Sequence, residues 1–384
     1  MKKAICAIVL IVSLLCGCVT PAPNDSAATA KKEYIKGVWF SYLELDTMLS
    51  GDFKAEFNTA LTNCKSLFIT DIFVQIRPFC DALYESQYFP LRETAADKEF
   101  DILQFMIDAA HQKGIRFHAW INPYRVSRNS DVGALPEASP AYKWLHSDSE
   151  EEKNNLLSCD GIYLNPASAA ARRLVIDGVR ELLGKYNVDG IHFDDYFYPS
   201  AEESIDEVSY AVYCAEAKAP LGRSDWRRAN VNALISGVYT AIKFYNKDIV
   251  FSISPAASVE NNYNKLFADV GAWVESGCVD MLIPQLYFGL QYPVEEYRFE
   301  NLLKVWKAVA NRGNATLVIG LAPYKIGTDA EPDREEWNNN PTLLKKQTDI
   351  CVEDDVVGGH IFYSYSSLFS DSPQNTAARE ALHK

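Results

Sequence analysis

Short apolar segments alternate with amphipathic ones along most of the chain from residue 34 onward. Eight of the apolar segments have the character of buried strands, and they cover residues 37–45, 71–77, 115–121, 188–193, 249–254, 279–288, 317–324 and 358–365. Helical periodicity follows each of the first seven, over residues 53–68, 101–113, 166–186, 225–245, 263–276, 294–311 and 342–353. Eight strands with helical connections predict an α/β fold, a (β/α)8 TIM barrel.

A doubly wound open sheet is the alternative fold. It would leave the aromatic segment 358–365 as an exposed edge strand, which is unfavourable, so the pattern favours the barrel. Residues 127–164 and 200–223 lack a sustained period and are predicted to be long loops. Loops of this length are commonly lids or binding loops.

The first 17 residues are predicted to be a signal peptide. Lys2 and Lys3 precede an apolar run over residues 4–15, which is too short for a permanent membrane span. The following Leu-Cys-Gly-Cys resembles a bacterial lipobox, which would make Cys18 the lipidated first residue of the mature protein. An ordinary secretory cleavage is the alternative. Residues 18–33 are predicted to be a flexible tether, and residues 34–384 a single barrel domain.

The composition limits the kinds of binding partner, metal site and cofactor that the protein is expected to have. A formal net charge of −14 over 384 residues argues against nucleic acid. Six of the nine cysteines lie beyond the leader, and their wide spacing predicts mostly free, buried thiols. The sequence has no Cys-x-x-Cys or His-x-x-x-His spacing, no glycine-rich phosphate loop and no Gly-x-Ser-x-Gly elbow, so no metal site and no cofactor are predicted.

The segment Val-Asp-Gly-Ile-His-Phe-Asp-Asp-Tyr-Phe-Tyr-Pro, residues 188–199, holds the leading catalytic candidate. Strand alternation puts His192, Asp194 and Tyr196 on one face, while Asp195 starts on the other. A half-buried carboxylate at a strand end is costly unless a partner or a substrate compensates it. Asp194 is therefore predicted to be catalytic, the alternative being a turn or cap role.

The carboxyl ends of all the strands meet at one rim of a barrel, and polar and aromatic residues concentrate there. The predicted substrate-binding residues at this rim are Gln75, Arg77, Trp120, Asn122, Tyr124, Arg125, His192, Tyr196, Gln285, Tyr287 and Tyr324. Carboxylates, amides and flat aromatic faces together are typical of a sugar site.

Glycoside cleavage needs a proton donor and a second carboxylate. The hypothesis gives Asp194 the position nearest the anomeric carbon, with Asp195 or Asp81 as its partner and Glu260 as the reserve acid. Arg77 and His192 are expected to keep Asp194 ionised and oriented.

The remaining rim residues divide by chemistry. Asn122, Gln285 and Tyr287 are expected to bind hydroxyl or N-acetyl groups. Trp120, Tyr124, Tyr196 and Tyr324 are expected to stack on sugar rings.

Several motifs make the chain similar to the glycosyl hydrolase-like 10 family of bacterial envelope proteins. They include Val-Gln-Ile-Arg-Pro-Phe-Cys-Asp (74–81), His-Ala-Trp-Ile-Asn-Pro-Tyr-Arg (118–125), Asp-Gly-Ile-His-Phe-Asp-Asp-Tyr (189–196) and Pro-Gln-Leu-Tyr (284–287). The resemblance implies a TIM barrel that hydrolyses glycosidic bonds, with peptidoglycan glycan strands as the substrate. Ala256 and Ala257 depart from the expected Phe-Gly after Ser-Ile-Ser-Pro, which leaves fine specificity open.

Two other functions remain open on sequence alone. One is a surface barrel that binds glycan without cutting it, and the other is a hydrolase of a dietary or environmental polysaccharide. The expected location in each case is the bacterial cell envelope, with the protein held on the periplasmic or surface side of the outer membrane by its N-terminal lipid.

Overall fold

The computed structural model describes residues 33–128, 130, 135–329 and 332–383. The predicted leader, Cys18 and all but the last residue of the predicted tether lie outside these residues.

The described residues form eleven strands. In chain order these are β1 (Ile35–Phe40), β2 (Asp71–Arg77), β3 (Arg116–Ile121), β4 (Arg125–Ser127), β5 (Leu156–Ser158), β6 (Ile162–Leu164), β7 (Gly190–Phe193), β8 (Val250–Ile253), β9 (Met281–Leu282), β10 (Thr316–Leu321) and β11 (Val357–Phe362). Eight of them close into a barrel in the order β1-β11-β10-β9-β8-β7-β3-β2, and every pairing is parallel. The barrel prediction is confirmed, and β11 is no edge strand because it pairs with both β1 and β10.

Fifteen α-helices accompany these strands among the described residues. They are α1 (Tyr42–Leu49), α2 (Phe53–Ser66), α3 (Ile102–Gln112), α4 (Pro140–Leu145), α5 (Glu150–Lys153), α6 (Ala169–Lys185), α7 (Glu207–Glu216), α8 (Arg223–Tyr245), α9 (Val259–Asn264), α10 (Val270–Glu275), α11 (Phe299–Ala310), α12 (Arg334–Asn339), α13 (Leu343–Glu353), α14 (Tyr365–Leu368) and α15 (Pro373–Leu382). None of these described helices combines the length and apolarity that crossing a bilayer requires.

Local chemistry sets the helix ends. The side chains of Asp52, Asp101 and Ser168 accept backbone N–H bonds at the first turns of α2, α3 and α6, as N-cap residues do. Gly114 ends α3 at φ +64°, a left-handed conformation that glycine adopts without steric cost.

Two predicted strands are shorter than expected. The first ends at Phe40 because Ser41 and Glu44 form a capping box that starts α1. The sixth is reduced to Met281–Leu282, since Pro284 has no N–H for a ladder. Gln285 nevertheless makes isolated bridges to Ala256 and Gly320, so the chain stays in place at the rim.

The two predicted long loops also contain regular structure. Strands β4, β5 and β6 form a small antiparallel sheet with the order β4-β6-β5, and α4 and α5 lie between β4 and β5. Helix α7 forms within the second segment. The predicted helix over 263–276 is two helices, α9 and α10.

The barrel interior is filled by a cluster of its own. Its members are Ile35, Trp39, Phe73, Trp120, Met281, Ile283, Val318 and Ile361, while the larger cluster lies between strands and helices. At the amino ends of the strands, Asp71 is fully buried and accepts hydrogen bonds from Arg116 (2.7 Å) and contacts His118 Nε2 (2.9 Å). Arg116 and His118 hold the pKa of Asp71 below its usual range, so this end is closed by charge as well as by packing.

The six described cysteines are free thiols, as predicted. Only Cys64, Cys80 and Cys351 are buried; the other three are half-buried.

Candidate active site

A cavity of about 150 Å³ opens at the carboxyl ends of the barrel strands. Its lining residues are Trp39, Trp120, Asp194, Asp195, Tyr196, Ser254, Gln285, Tyr287 and Tyr363. They come from six strand ends, so the closed barrel alone brings them together. Six of the nine were predicted as site residues.

Asp194 is held rigidly in the cavity wall. It is 2% exposed, and its Oδ2 accepts hydrogen bonds from Trp120 Nε1 at 3.0 Å and Asn122 Nδ2 at 3.2 Å. Its Oδ1 has a longer contact with the Tyr196 N–H, at 3.4 Å. Asn122 in turn accepts the backbone N–H groups of Tyr124 and Arg125 through Oδ1. Asn122 is thus a positioning residue for Asp194, and its expected contact with sugar hydroxyls is not supported.

The two adjacent carboxyl groups are electrostatically coupled. Burial, followed by the charge of Asp195, raises the pKa of Asp194 to about 7. Burial also raises the pKa of Asp195. The Gln285 amide and the charge of Arg125 oppose this effect, because they stabilise the carboxylate. Two neighbouring carboxyl groups that cannot both ionise freely share a proton near neutral pH. The pair can therefore hold a proton donor and a carboxylate at once.

His192 lies beneath this pair, and its two ring nitrogens contact groups other than Asp194. Trp39 Nε1 donates to His192 Nε2 at 3.0 Å, and Nδ1 lies 2.9 Å from Ser252 Oγ. Burial lowers the pKa of His192 well below its usual value, so the ring is neutral. The expectation that His192 keeps Asp194 ionised is wrong, and His192 is fully buried below the cavity without lining it.

Aromatic rings form much of the remaining surface. Tyr287 and Tyr363 stack with ring centroids 5.9 Å apart. Tyr324, which does not line the cavity, meets both rings edge-on at 5.6 and 5.9 Å. Trp39 contacts Tyr363 at 6.0 Å. A continuous set of flat faces and hydroxyl groups suits a pyranose ring.

The mouth of the cavity is bounded by Tyr196 and Arg125. The Tyr196 ring is 46% exposed, and the Arg125 guanidinium lies 3.6 Å from its centroid, a cation–π contact. Arg125 also stabilises the negative charge of both Asp194 and Asp195. Tyr196 lines the cavity, and the binding of a sugar by either residue stays a prediction.

Arg77 was expected beside Asp194 but lies outside the barrel. The β2–β3 register shifts between Gln75 and Arg77, and such an irregularity turns the following side chain to the other face. Arg77 is 1% exposed and stacks on Phe89 at 4.1 Å, close to Gly178 of α6. The prediction that it orients Asp194 is wrong.

Two of the candidate acids lie away from the cavity. Asp81 belongs to a separate pocket, where Arg92 Nη1 donates to it at 2.6 Å. Glu260 is exposed in the first turn of α9. The structure brings neither to Asp194, so Asp195 is the carboxyl group that accompanies it.

Two predicted binding residues are also internal. Tyr124 is fully buried in the core, so it offers no ring face to a sugar. Gln75 is 4% exposed and accepts the Tyr42 N–H through Oε1 at 3.2 Å. The stacking role expected of Tyr124 is wrong, and Gln75 supports the fold.

Trp39 and Tyr363 are cavity residues that the sequence reasoning missed. Trp39 lies on β1 with the same parity as Gly37, and its side chain enters the barrel. Tyr363 follows β11 directly, at a position expected to lie within a longer strand. In each case strand alternation was the available signal.

The profile of a known family, described as Glycosyl hydrolase-like 10, matches residues 34–339. Glycosyl hydrolase YngK of Bacillus subtilis (strain 168) is 31% identical over 370 residues, which cover 88% of this chain and 70% of that protein. The chain belongs to the glycosyl hydrolase-like 10 family. Family membership is consistent with the resemblance found in the motifs.

Other comparisons extend this assignment. Glycosyl hydrolase DigH of Escherichia coli (strain K12) is similar to this family member at 29% identity over 422 residues, covering 97% of this chain and 94% of DigH. The glycoside hydrolase domain of PgaB (BpsB) from Bordetella bronchiseptica has a similar fold, with a TM-score of 0.61 and 14% identity. That alignment covers 91% of this chain and 99% of the domain.

Proposed function

We propose that this protein hydrolyses glycosidic bonds, and that its substrate is the glycan strand of peptidoglycan. The observation that carries the proposal is the Asp194–Asp195 pair in the wall of an open, aromatic cavity, where Trp120 and Asn122 hold Asp194 in place. Membership of the glycosyl hydrolase-like 10 family supports the reaction class.

The chemistry follows from the shared proton. A carboxylic acid with a pKa near the working pH donates a proton efficiently to a leaving oxygen. The Asp194–Asp195 pair meets this condition, because burial and the neighbouring charge raise the pKa of Asp194 to about 7 and burial raises the pKa of Asp195. The carboxyl group of the pair that is ionised stabilises the positive charge that develops on the sugar. Arg125, at the mouth, limits the build-up of negative charge when both groups ionise.

The substrate and the location are further parts of the proposal. The ring faces of Tyr196, Tyr287 and Tyr363 would contact successive sugar faces, and Gln285 would bind hydroxyl groups. We place the protein in the bacterial cell envelope, anchored through a lipid on Cys18, because the leader sequence resembles a lipobox.

The test uses purified peptidoglycan strands without stem peptides, incubated with the full chain. We expect cleavage by the wild type and at least a 100-fold lower rate for Asp194→Asn, since general acid–base groups contribute about 10²–10⁴-fold. Asp248→Asn is the matched control: Asp248 is exposed and precedes β8, at the opposite end of the barrel.

Near-wild-type cleavage by a folded Asp194→Asn protein would disprove the assignment. Binding of strands by the wild type, with their length unchanged after long incubation, would instead favour a glycan-binding protein. Cleavage of other polysaccharides in parallel reactions, but not of peptidoglycan strands, would refute the proposed substrate while supporting the proposed hydrolysis of glycosidic bonds.

A further inference from the structure

We infer that the nucleophile is the substrate's own 2-acetamido group, and that the enzyme cuts only next to an N-acetylated sugar. This inference rests on the proposed function and specifies its mechanism and substrate class. It depends on which sides of the cavity carry carboxyl groups.

Asp194 and Asp195 stand on one wall, at the end of β7. In the usual two-carboxylate schemes, the acid and the nucleophile or base lie on opposite sides of the scissile bond. The strand directly across from β7 in the eight-membered order is β11, and it contributes Tyr363. The wall facing the acids is therefore aromatic and uncharged.

Glu44, which follows β1 on that far side, is an acidic residue whose two carboxylate oxygens are both engaged. Its Oε1 accepts from Ser364 Oγ (2.8 Å) and the Ser366 N–H (2.6 Å), while Oε2 accepts from the Ser41 N–H at 2.5 Å. Glu44 does not line the cavity, and no third carboxyl group among the described residues does. The protein thus offers no carboxylate across the sugar.

Other protein nucleophiles are unsuited as well. Burial raises the pKa of Tyr287 well above its usual value, so its phenolate is inaccessible at neutral pH. His192 is buried below the floor with both nitrogens occupied. An acetamido oxygen carried by the sugar needs no such group from the protein, and neighbouring-group participation of this kind is an established exception among glycosidases.

The two aspartates would then divide the work. Oδ2 of Asp194 accepts from two donors, whereas Oδ1 has one long contact, 3.4 Å to the Tyr196 N–H, so Oδ1 would accept the acetamido N–H and orient the acetamido oxygen. Asp195 is half-buried and lines the cavity, so it would reach the leaving oxygen as general acid. Binding of the N–H to Asp194 would favour its ionised form and place the shared proton on Asp195.

The reaction balances in two steps. The acetamido oxygen forms a bond to C1 while the glycosidic C1–O bond breaks, and the leaving oxygen takes the proton from Asp195. Water then forms the new C1–O bond, the bond to the acetamido oxygen breaks, and one water proton returns to Asp195. Two inversions at C1 give retained configuration.

The experiment compares three samples of one strand preparation with the full chain: native, chemically de-N-acetylated, and de-N-acetylated then re-N-acetylated. We expect the native and re-N-acetylated strands to be cut at similar rates and the de-N-acetylated strand at least 100-fold more slowly. NMR should show a product of retained configuration. Equal cleavage of the de-N-acetylated strand, or an inverted product, would overturn the inference. Failure to cut any of the three would instead refute the proposed function.

The division of roles has its own test. With 4-nitrophenyl N-acetylglucosaminide, whose leaving group needs no proton, Asp195→Ala should lose much less activity than it loses on glycan strands, whereas Asp194→Ala should lose at least 100-fold on both. A similar loss in both variants would overturn the assignment. The 1,2-thiazoline of N-acetylglucosamine, a mimic of the cyclic intermediate, should inhibit the wild type competitively. Absence of inhibition at the highest soluble concentration would count against attack by the acetamido group.

Discussion

Removing the charge of Asp194 should make the protein more stable while it removes activity. The carboxyl group is 2% exposed, and its pKa rises from 3.8 in an ordinary setting to about 7 in the fold. The perturbation is Asp194→Asn, which keeps the shape of the side chain and an oxygen able to accept the Trp120 N–H.

The sign follows from proton linkage. Below pH 3.8 both the folded and the unfolded chain bind this proton, so Asp194 does not affect stability. Between pH 3.8 and about 7 the unfolded chain releases it first, and the free energy of unfolding of the wild type falls as pH rises. Above about pH 7 the loss is complete.

The free energy of unfolding that the wild type loses through ionisation of Asp194 is at most about 4 kcal/mol, since the pKa of Asp194 rises by about 3 units and each unit corresponds to 1.36 kcal/mol. The amide will recover only part of this, because its NH₂ group replaces an acceptor oxygen. We expect the Asn variant to gain about 1–2 kcal/mol at pH 8 and nothing near pH 4.

The assay is urea unfolding of both proteins at several pH values between 4 and 8, with Asp248→Asn as control. The difference between Asp194→Asn and wild type should grow with pH, and the control should show none. A destabilised variant at every pH, or a gain that does not depend on pH, would refute the account of a strained, buried carboxyl group.

Two further outcomes follow from the site geometry. Trp120→Phe removes the 3.0 Å hydrogen bond from the indole N–H to Asp194. Since hydrogen bonds to charged groups contribute about 1.5–3 kcal/mol, the pKa of the pair should rise by about 1–2 units and shift the pH dependence of kcat/KM upward. An unshifted profile would argue against this hydrogen bond as a determinant of the pKa. Glu260→Gln should keep kcat/KM within about twofold of wild type, because Glu260 is exposed outside the cavity. A large loss of kcat/KM would make Glu260 a candidate general acid again.

Strand periodicity predicted the barrel and much of its interior. The apolar pattern located all eight barrel strands, and alternation along β7 correctly placed His192 inside. Alternation holds wherever the ladder is regular, because successive side chains must point to opposite faces.

The errors occur where that regularity fails. A register shift after Gln75 turned Arg77 out of the barrel, and no feature of the local sequence marks it. Asp81 lies beyond Pro78 in an irregular segment, where it pairs with Arg92, eleven residues further on. The burial of Asp194 depends on Trp120 and Asn122 from a different strand, so its raised pKa could not be read from residues 188–199 alone.

The rings of Trp39 and His192, tilted against each other with centroids 6.0 Å apart, are buried and fill the barrel below the carboxyl groups. In the proposed two-step reaction, water reaches C1 after the leaving sugar has departed. Any hydroxyl-bearing molecule at the mouth of the cavity competes with water on equal terms, so concentrated oligosaccharide should divert some turnover from hydrolysis into the joining of glycan chains.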